Sequence, residues 1–257
     1  MAALECRSVY LDYPLMGERL RALEDVSVRV EDQQFVSILG PSGCGKSSLL
    51  NIVAGFVRPT LGQVLVGGAE VSGPGRDRGV VFQEHALFPW MTVRGNIEFG
   101  LKANHVPKPQ RDRKVDELIE LVGLRGFEDA FPKQLSGGMR QRVAVSRAFA
   151  TDPDVVLLDE PFSALDEQSK QRIQREFARI CQTTRQTVLL VTHSIEESIL
   201  MSDRVVVMER RPGRIRASVD IDLPRPRDDT SPEFIARKRE ISSLLYGAVD
   251  AAQGEAP

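Results

Sequence analysis

Short runs of aliphatic and β-branched residues punctuate the chain, each ending near turn-forming residues. They are Val26–Val30, Phe35–Leu39, Gly79–Phe82, Val155–Leu158, Thr187–Val191 and Arg204–Met208. Several are apolar without interruption, which is the pattern of strands covered on both faces. Between some of them the apolar positions recur every three or four residues. Arg111–Val122, with Val115, Leu118, Ile119 and Val122 on one side, is an example, and this is the spacing of a helix face. Strands alternating with helices predict an open, largely parallel sheet with crossover helices. The first segments differ. Leu4–Leu11 and Val26–Val30 lie only a loop apart, so an antiparallel pair is expected there.

The texture changes between about His85 and Thr151, where Pro89, Pro107, Pro109 and Pro132 separate helical patterns. Prolines end helices and open turns, so a helical subdomain inserted into the α/β core is expected. The division that follows is a core of residues 1–84 and 152–216, a helical subdomain of 85–151 and a C-terminal extension of 217–257. After Arg214 the pattern predicts a strand pair, a Pro/Arg/Asp-rich link (Leu223–Ser231) and a helix over Pro232–Tyr246.

At 257 residues and 42% hydrophobic composition, the chain can bury a sizeable core without staples. A formal charge of −2, from 34 basic and 36 acidic residues, supplies no bulk attraction to nucleic acid. Cys6, Cys44 and Cys181 are odd in number and far apart, which excludes a disulfide framework and fits a reducing compartment. The first residues lack the apolar stretch of a signal peptide, and no apolar run approaches the ~20 residues that span a bilayer. Any service to a membrane process is therefore expected from the cytoplasmic side, by docking on other subunits.

Candidate chemistry gathers at the ends of the apolar runs. Gly40-Pro41-Ser42-Gly43-Cys44-Gly45-Lys46-Ser47 has the form G-x-x-x-x-G-K-[ST] between the run Phe35–Leu39 and a helix-like stretch from Ser48. Glycines let successive N–H groups turn inward around phosphates, and a helix start adds partial positive charge. Lys46 would face the β and γ phosphates, and the Ser47 hydroxyl suits Mg2+. The run Val155–Leu158 ends in Asp159-Glu160. In a parallel sheet, ligands bind beyond the carboxyl ends of strands, so Asp159 suits the metal shell and Glu160 the attacking water. The same carboxylates would also start a helix well. His193 follows Thr187–Val191 and Gln83 follows Gly79–Phe82 in like manner. A γ-phosphate contact for His193 and a metal or water contact for Gln83 stand beside plainer readings as polar strand-end residues.

Leu135-Ser136-Gly137-Gly138 opens the helical pattern Met139–Ala150 and repeats the logic of hydroxyl, glycines and helix start. In order, the loop 40–47, Gln83, residues 135–138, Asp159-Glu160, Ser163-Ala164-Leu165-Asp166 and His193 resemble the motifs of ABC transporter ATPases. That resemblance implies an α/β phosphate-loop NTPase (RecA-like) core with an N-terminal antiparallel β subdomain and an inserted α-helical subdomain. It implies an ATPase whose nucleotide is held by residues 40–47 and Ser48, with Tyr13, or the nearby Tyr10, stacked on adenine. It also implies that Ser136, Gly137 and Gly138 touch ATP bound to a second copy, with Asp166 coupling the sites. Integral membrane permease subunits and, indirectly, a substrate-binding protein are the further partners implied. Position 139 is Met where many members have Gln, and Ser194 stands where Asp is frequent. The stretches 73–83, Leu87-Phe88-Pro89-Trp90 and Arg211-Pro212-Gly213-Arg214-Ile215 are similar to importers of nitrate, aliphatic sulfonates and taurine.

Phe88, Pro89, Trp90 and Met91 form an apolar cluster, read either as subdomain core or as a groove for a membrane-subunit helix. Trp90 is expected inside and Phe88 nearer the rim. Two other functions compete with this one. ABC-type ATPases of DNA repair or translation carry long coiled coils or paired cassettes, which 257 residues do not accommodate. A non-hydrolytic ATP-binding scaffold is disfavoured by the presence of both Glu160 and His193.

Overall fold

The computed structural model describes residues 2–15, 18–83, 86–163, 167–210 and 212–247. The first half runs β1 (Ala2–Leu15), β2 (Glu18–Glu31), β3 (Phe35–Leu39), α1 (Lys46–Ala54), β4 (Leu61–Val66), β5 (Ala69–Glu70), β6 (Arg78–Val81), α2 (Val93–Ala103) and α3 (Lys108–Leu121). A 3-10 turn (Pro132–Gln134) leads to α4 (Gly137–Phe149), β7 (Val155–Asp159), α5 (Glu167–Thr184) and β8 (Val188–Thr192). The chain finishes with α6 (Ile195–Met201), β9 (Arg204–Glu209), β10 (Arg214–Asp220) and α7 (Pro232–Tyr246). Two compact units form, Met1–Pro74 with Thr187–Pro257, and Gly75–Gln186. β6 and β7 thus cluster with the helices of the second unit.

In the first unit an antiparallel sheet has the order β2-β1-β4-β5. After Ala3 at its start, β1 buries Leu4 and Cys6, then Val9 and Leu11, so the alternation slips by one position between the two pairs. The slip coincides with a register shift between Cys6 and Val9 and with Ser8 at φ 43°. A bulge here re-phases the strand and keeps apolar residues inward on both sides of it. Beside this lies β3, flanked by β8 and β9 in parallel, with β10 antiparallel on β9. Every residue of β3 and β8 is buried, and the two polar ones, Ser37 and Thr192, bond through their hydroxyls to Ser202 and Glu197. The expected strand pair after Arg214 is a single strand, because β9 itself supplies the partner. Leu39, Ile199, Val205, Val207, Val219, Ile221, Phe234 and Ile241 form one core cluster under α6 and α7.

In the second unit β6 and β7 pair in parallel. α3 buries Val115, Leu118 and Ile119 on one face, and α4 buries Val143, Ala144, Val145, Ala148 and Phe149. Buried Glu98 of α2 receives Arg111 at 2.8 Å and Lys102 at 2.7 Å. Buried Asn96 fastens the turn before α2, accepting from Phe88 N (2.9 Å) and donating to the carbonyls of Phe88, Met91 and Thr92. That clamp corrects the expectation for the aromatic cluster. Phe88 is the anchored ring, 4.5 Å from Phe99 and beneath the Arg147 guanidinium, while Trp90 is 69% exposed. Among the described residues, no helix is long and apolar enough to cross a membrane.

Candidate functional site

In the first unit the phosphate loop and His193 leave neighbouring strand ends. β3 and β8 are in register at Leu39 and Thr192, so Gly40 and His193 are the next residues off two adjacent parallel strands. This is the ligand edge of such a sheet. The loop is held by backbone bonds, Cys44 N to Pro41 O (3.3 Å) and Leu49 N to Gly45 O (2.9 Å). Lys46 is 5% exposed, and its Nζ donates to Gly40 O (2.8 Å) and Pro41 O (3.2 Å). The ammonium is thereby fixed over the loop by its own carbonyls. Gly45 caps α1 at φ 97°, and a Cβ there would lie 2.6 Å from Leu23 Cδ2 and 3.0 Å from Ala22 O. Only glycine fits both the backbone and the space. Burial pushes the Cys44 thiol above its ordinary pKa, so this side chain is packing inside the loop.

Ser42 and Gly43 are exposed at the loop's tip, and Ser47 is exposed on the first turn of α1. The Tyr13 hydroxyl donates to Ser48 Oγ at 3.4 Å, with the ring 37% exposed beside that turn. Tyr10 is engaged elsewhere, under the Arg21 guanidinium at 5.6 Å. Exposed His193 sits in a turn locked by its neighbours. Thr192 Oγ1 donates to buried Glu197 (2.7 Å) and accepts from Ser194 N (3.0 Å), while Ser194 Oγ caps α6 by accepting Glu197 N (3.2 Å). Sequence reasoning assigned nothing to Thr192 and Glu197. A Ser three residues before a Glu at a helix start is nonetheless the capping-box signature.

In the second unit β6 and β7 are in register at Val81 and Leu158, so Gln83 and Glu160 each lie two residues beyond that pair. Ser163 joins them. Gln83 Nε2 donates to Ser163 Oγ (3.3 Å), and Ser163 Oγ and N both donate to Glu160 O (2.9 and 3.2 Å). Asp159 ends β7 half-buried, and Glu160 follows at φ 42°. A non-glycine residue in the left-handed region is strained, and such strain concentrates at functional positions.

The Ser-Gly-Gly segment belongs to the same unit. Exposed Ser136 caps α4, its Oγ accepting from Met139 N at 3.3 Å. Gly137 is the first helical residue. A Cβ on Gly138 would meet Ile173 Cδ1 of α5 at 2.5 Å, so the glycine admits α5 close to this helix start. Asp166 lies outside the described residues.

Ser47, Gln83 and Asp159 offer a hydroxyl, a carboxamide and a carboxylate. These are oxygen donors suited to Mg2+, which is bound through few carboxylates and completes its shell with phosphates and water. Among the described residues no group of three or more His, Cys, Asp and Glu could hold a metal ion.

A glycine-rich loop with a buried lysine, leading from a parallel strand into a helix, defines a phosphate-loop nucleotide-hydrolysing protein. The family model described as ABC transporter matches residues 23–163. An uncharacterized ABC transporter ATP-binding protein of Methanocaldococcus jannaschii is 52% identical over 233 residues, 91% of this chain and 87% of the relative. A taurine import ATP-binding protein of Roseobacter denitrificans is 42% identical (93% of this chain, 91% of the relative). A nitrate import ATP-binding protein of Synechocystis is 44% identical (88% of each). A solved ATP-binding cassette, a dimer in a post-hydrolysis state bound to ADP and Pi, superposes with TM-score 0.74 at 29% identity, covering 86% of this chain and all of that one. The chain belongs to the ABC transporter family and is an ATP-binding cassette ATPase.

Proposed function

We propose that the chain energises an importer of a small anion such as nitrate, an aliphatic sulfonate or taurine, as one half of a dimer that closes around ATP. The observation that carries this reading is the presence in one chain of two differently built helix starts for anions. One is the lysine-bearing loop before α1, and the other is the Ser136-capped start of α4. In an isologous dimer each ATP would lie between the loop of one copy and Ser136, Gly137 and Gly138 of its mate. Relatives named for taurine and nitrate import support the substrate class.

Each residue then has a task. Lys46 and the N–H groups of residues 40–48 bind and orient the phosphates, and Tyr13 stacks on the base. Glu160 accepts a proton from the attacking water, and His193 contacts the γ-phosphate. Mg2+, held by Ser47, Gln83 and Asp159, would neutralise charge on the β and γ phosphates when bound. Asp166 couples the paired sites. ATP favours the closed dimer and hydrolysis loosens it, which moves permease subunits docked at the exposed Trp90 region. The chain works from the cytoplasmic face of the membrane as a peripheral subunit, and the transported solute reaches the permease from a substrate-binding protein.

The test uses two separately inactive variants. Lys46→Ala removes the loop's cation. Ser136→Asp keeps a good helix cap but sets a negative charge toward the mate's γ-phosphate. If loop and cap act across the dimer, a mixed pair has one doubly damaged site and one intact site. An equal mixture should then recover about a quarter of parental hydrolysis, since half the dimers are mixed and each keeps one of two sites. A mixture no more active than the separate variants refutes the sandwich.

A further inference from the structure

α6 starts two residues after His193 and ends at Met201 with Ser202 as its C-cap. The last carbonyls of a helix have no partner within it. Here two arginines of the link after β10 meet them. Arg225 Nη2 donates to Met201 O (2.6 Å), and Arg227 Nη1 donates to Ser202 O (2.6 Å) and to Ile199 O. The remaining donors of Arg227 reach Ile221 O (2.9 Å) and Leu223 O (3.3 Å). One guanidinium thus ties the end of α6 to the chain leaving β10.

The arrangement is built rather than incidental. Arg227 is 7% exposed, and its bonds go to carbonyl oxygens. Burial, with Arg225 nearby, lowers its pKa to about 10, so it remains a cation at neutral pH, at the helix end where the macrodipole favours one. Arg225 also pairs with Asp203 (2.7 Å), whose other oxygen accepts from Phe35 N (2.8 Å) at the start of β3. The Ser202 hydroxyl bonds the Ser37 hydroxyl in the middle of β3. α7 covers the flank of α6 with Phe234 and Ile241 against Ile199, and Lys238 pairs with Glu196. At its other end α6 holds the His193 turn through Glu197 and Ser194. The C-terminal link is therefore connected to the His193 turn at one end of β3, and β3 runs directly into the phosphate loop.

We propose that the segment from Ile221 to Tyr246 is a brace for the phosphate-sensing histidine, with Arg225 and Arg227 as its positioning residues. The brace fixes α6 against β3, and so fixes where His193 stands relative to the loop at Gly40. The proposal rests on the reading of His193 as the γ-phosphate contact, and its test separates the two.

The full chain is made as Arg227→Met, Arg227→Lys, His193→Ala and the double variant His193→Ala/Arg227→Met. Steady-state hydrolysis gives kcat and KM for MgATP, and hydrogen–deuterium exchange gives protection of individual segments. Arg227→Met is expected to lower kcat about tenfold or more with KM within about twofold, because bound ATP is retained but poorly met. Arg227→Lys, which keeps the charge and some carbonyl bonds, should fall between, and it stands in if the Met variant does not fold. In the His193→Ala background the same change should cost less than about twofold, since positioning has no effect without the positioned group. Exchange should quicken over residues 193–202 and stay unchanged in α1. An equal fold-loss in both backgrounds, or unchanged exchange over 193–202, overturns the brace. Parental turnover by His193→Ala with quickened exchange in Arg227→Met would remove the histidine's catalytic role while leaving the brace in place.

Discussion

Replacing Glu160 by Gln and, separately, by Gly divides the chemistry of that side chain from the strain of its backbone. Glu160 stands at φ 42° directly after β7. An L-residue there costs roughly 1–2 kcal/mol, which Gln retains and Gly escapes, although Gly adds about 0.5–1 kcal/mol of chain entropy to be lost on folding. The balance is a gain of about 0–1.5 kcal/mol for Gly, or a melting temperature higher by up to roughly 5 °C. Gln should stay within about 0.5 kcal/mol of the parent. The backbone should not move in either variant, because Ser163 holds Glu160 O by two donors, at 2.9 and 3.2 Å. Both changes remove the proposed proton acceptor, so turnover should fall roughly 10²- to 10⁴-fold, about 2.7–5.4 kcal/mol of barrier. Phosphate release and thermal melting of the parent and both variants make the assay. Parental turnover by Glu160→Gln refutes the assignment of the base. A Gly variant that melts below the Gln variant refutes the strain.

Three other outcomes follow from the same geometry. Lys46→Met removes the ammonium fixed by Gly40 O and Pro41 O. A charge-assisted bond of about 1.5–3 kcal/mol is lost, so titration with a fluorescent ATP analogue should show affinity lower by roughly one to two orders of magnitude. The single tryptophan makes Trp90 a clean probe. At 69% exposure its emission should be water-like and quenched by iodide, Trp90→Ala should change stability by less than about 0.5 kcal/mol, and permease binding should shift the emission to the blue. Burial raises the pKa of Glu98, but bonds from Lys102 and Arg111 outweigh it and hold the carboxyl below the ordinary 4.5. A depressed carboxylate stabilises the fold above its unfolded pKa and loses that contribution as pH falls through the folded value. Acid unfolding of the parent below about pH 4.5 should therefore be steeper than that of Glu98→Gln, and equal slopes would count against the triad.

The run Val155–Leu158, apolar throughout, and Phe35–Leu39, apolar but for Ser37, pointed to buried parallel strands because they offer almost nothing to water. The placement of the candidate residues after each run was legible as well. A parallel sheet takes its ligands beyond the carboxyl ends of its strands, so the phosphate loop, Asp159-Glu160, Gln83 and His193 were marked as candidates by position as much as by identity. Trp90 was misjudged because composition favours burying a large ring, whereas the decisive residue was Asn96. Its carboxamide makes four bonds around the Phe88–Thr92 turn and chooses which ring goes inside. A polar residue overruled a hydrophobic preference, and no periodicity records that.

The brace at the C-terminus was illegible for a related reason. Arg225 and Arg227 stand in a Pro/Arg/Asp-rich link that reads as a solvated connection, and one of them is 7% exposed. Their partners are backbone carbonyls, which every residue carries, so no side-chain pattern in α6 advertises the contact. What fixes it is arithmetic of helix ends: a seven-residue helix leaves a large share of its carbonyls unpaired, and a short helix after the His193 turn cannot be rigid by its own hydrogen bonds. A histidine proposed to sense phosphate therefore needs support from outside its own element, and the guanidinium is suited to give it, since one planar group offers five donors in fixed directions. On this argument Lys at position 227 should be a poorer brace than Arg even though it preserves the charge, because a single ammonium has too few donors to span four carbonyls at the distances found.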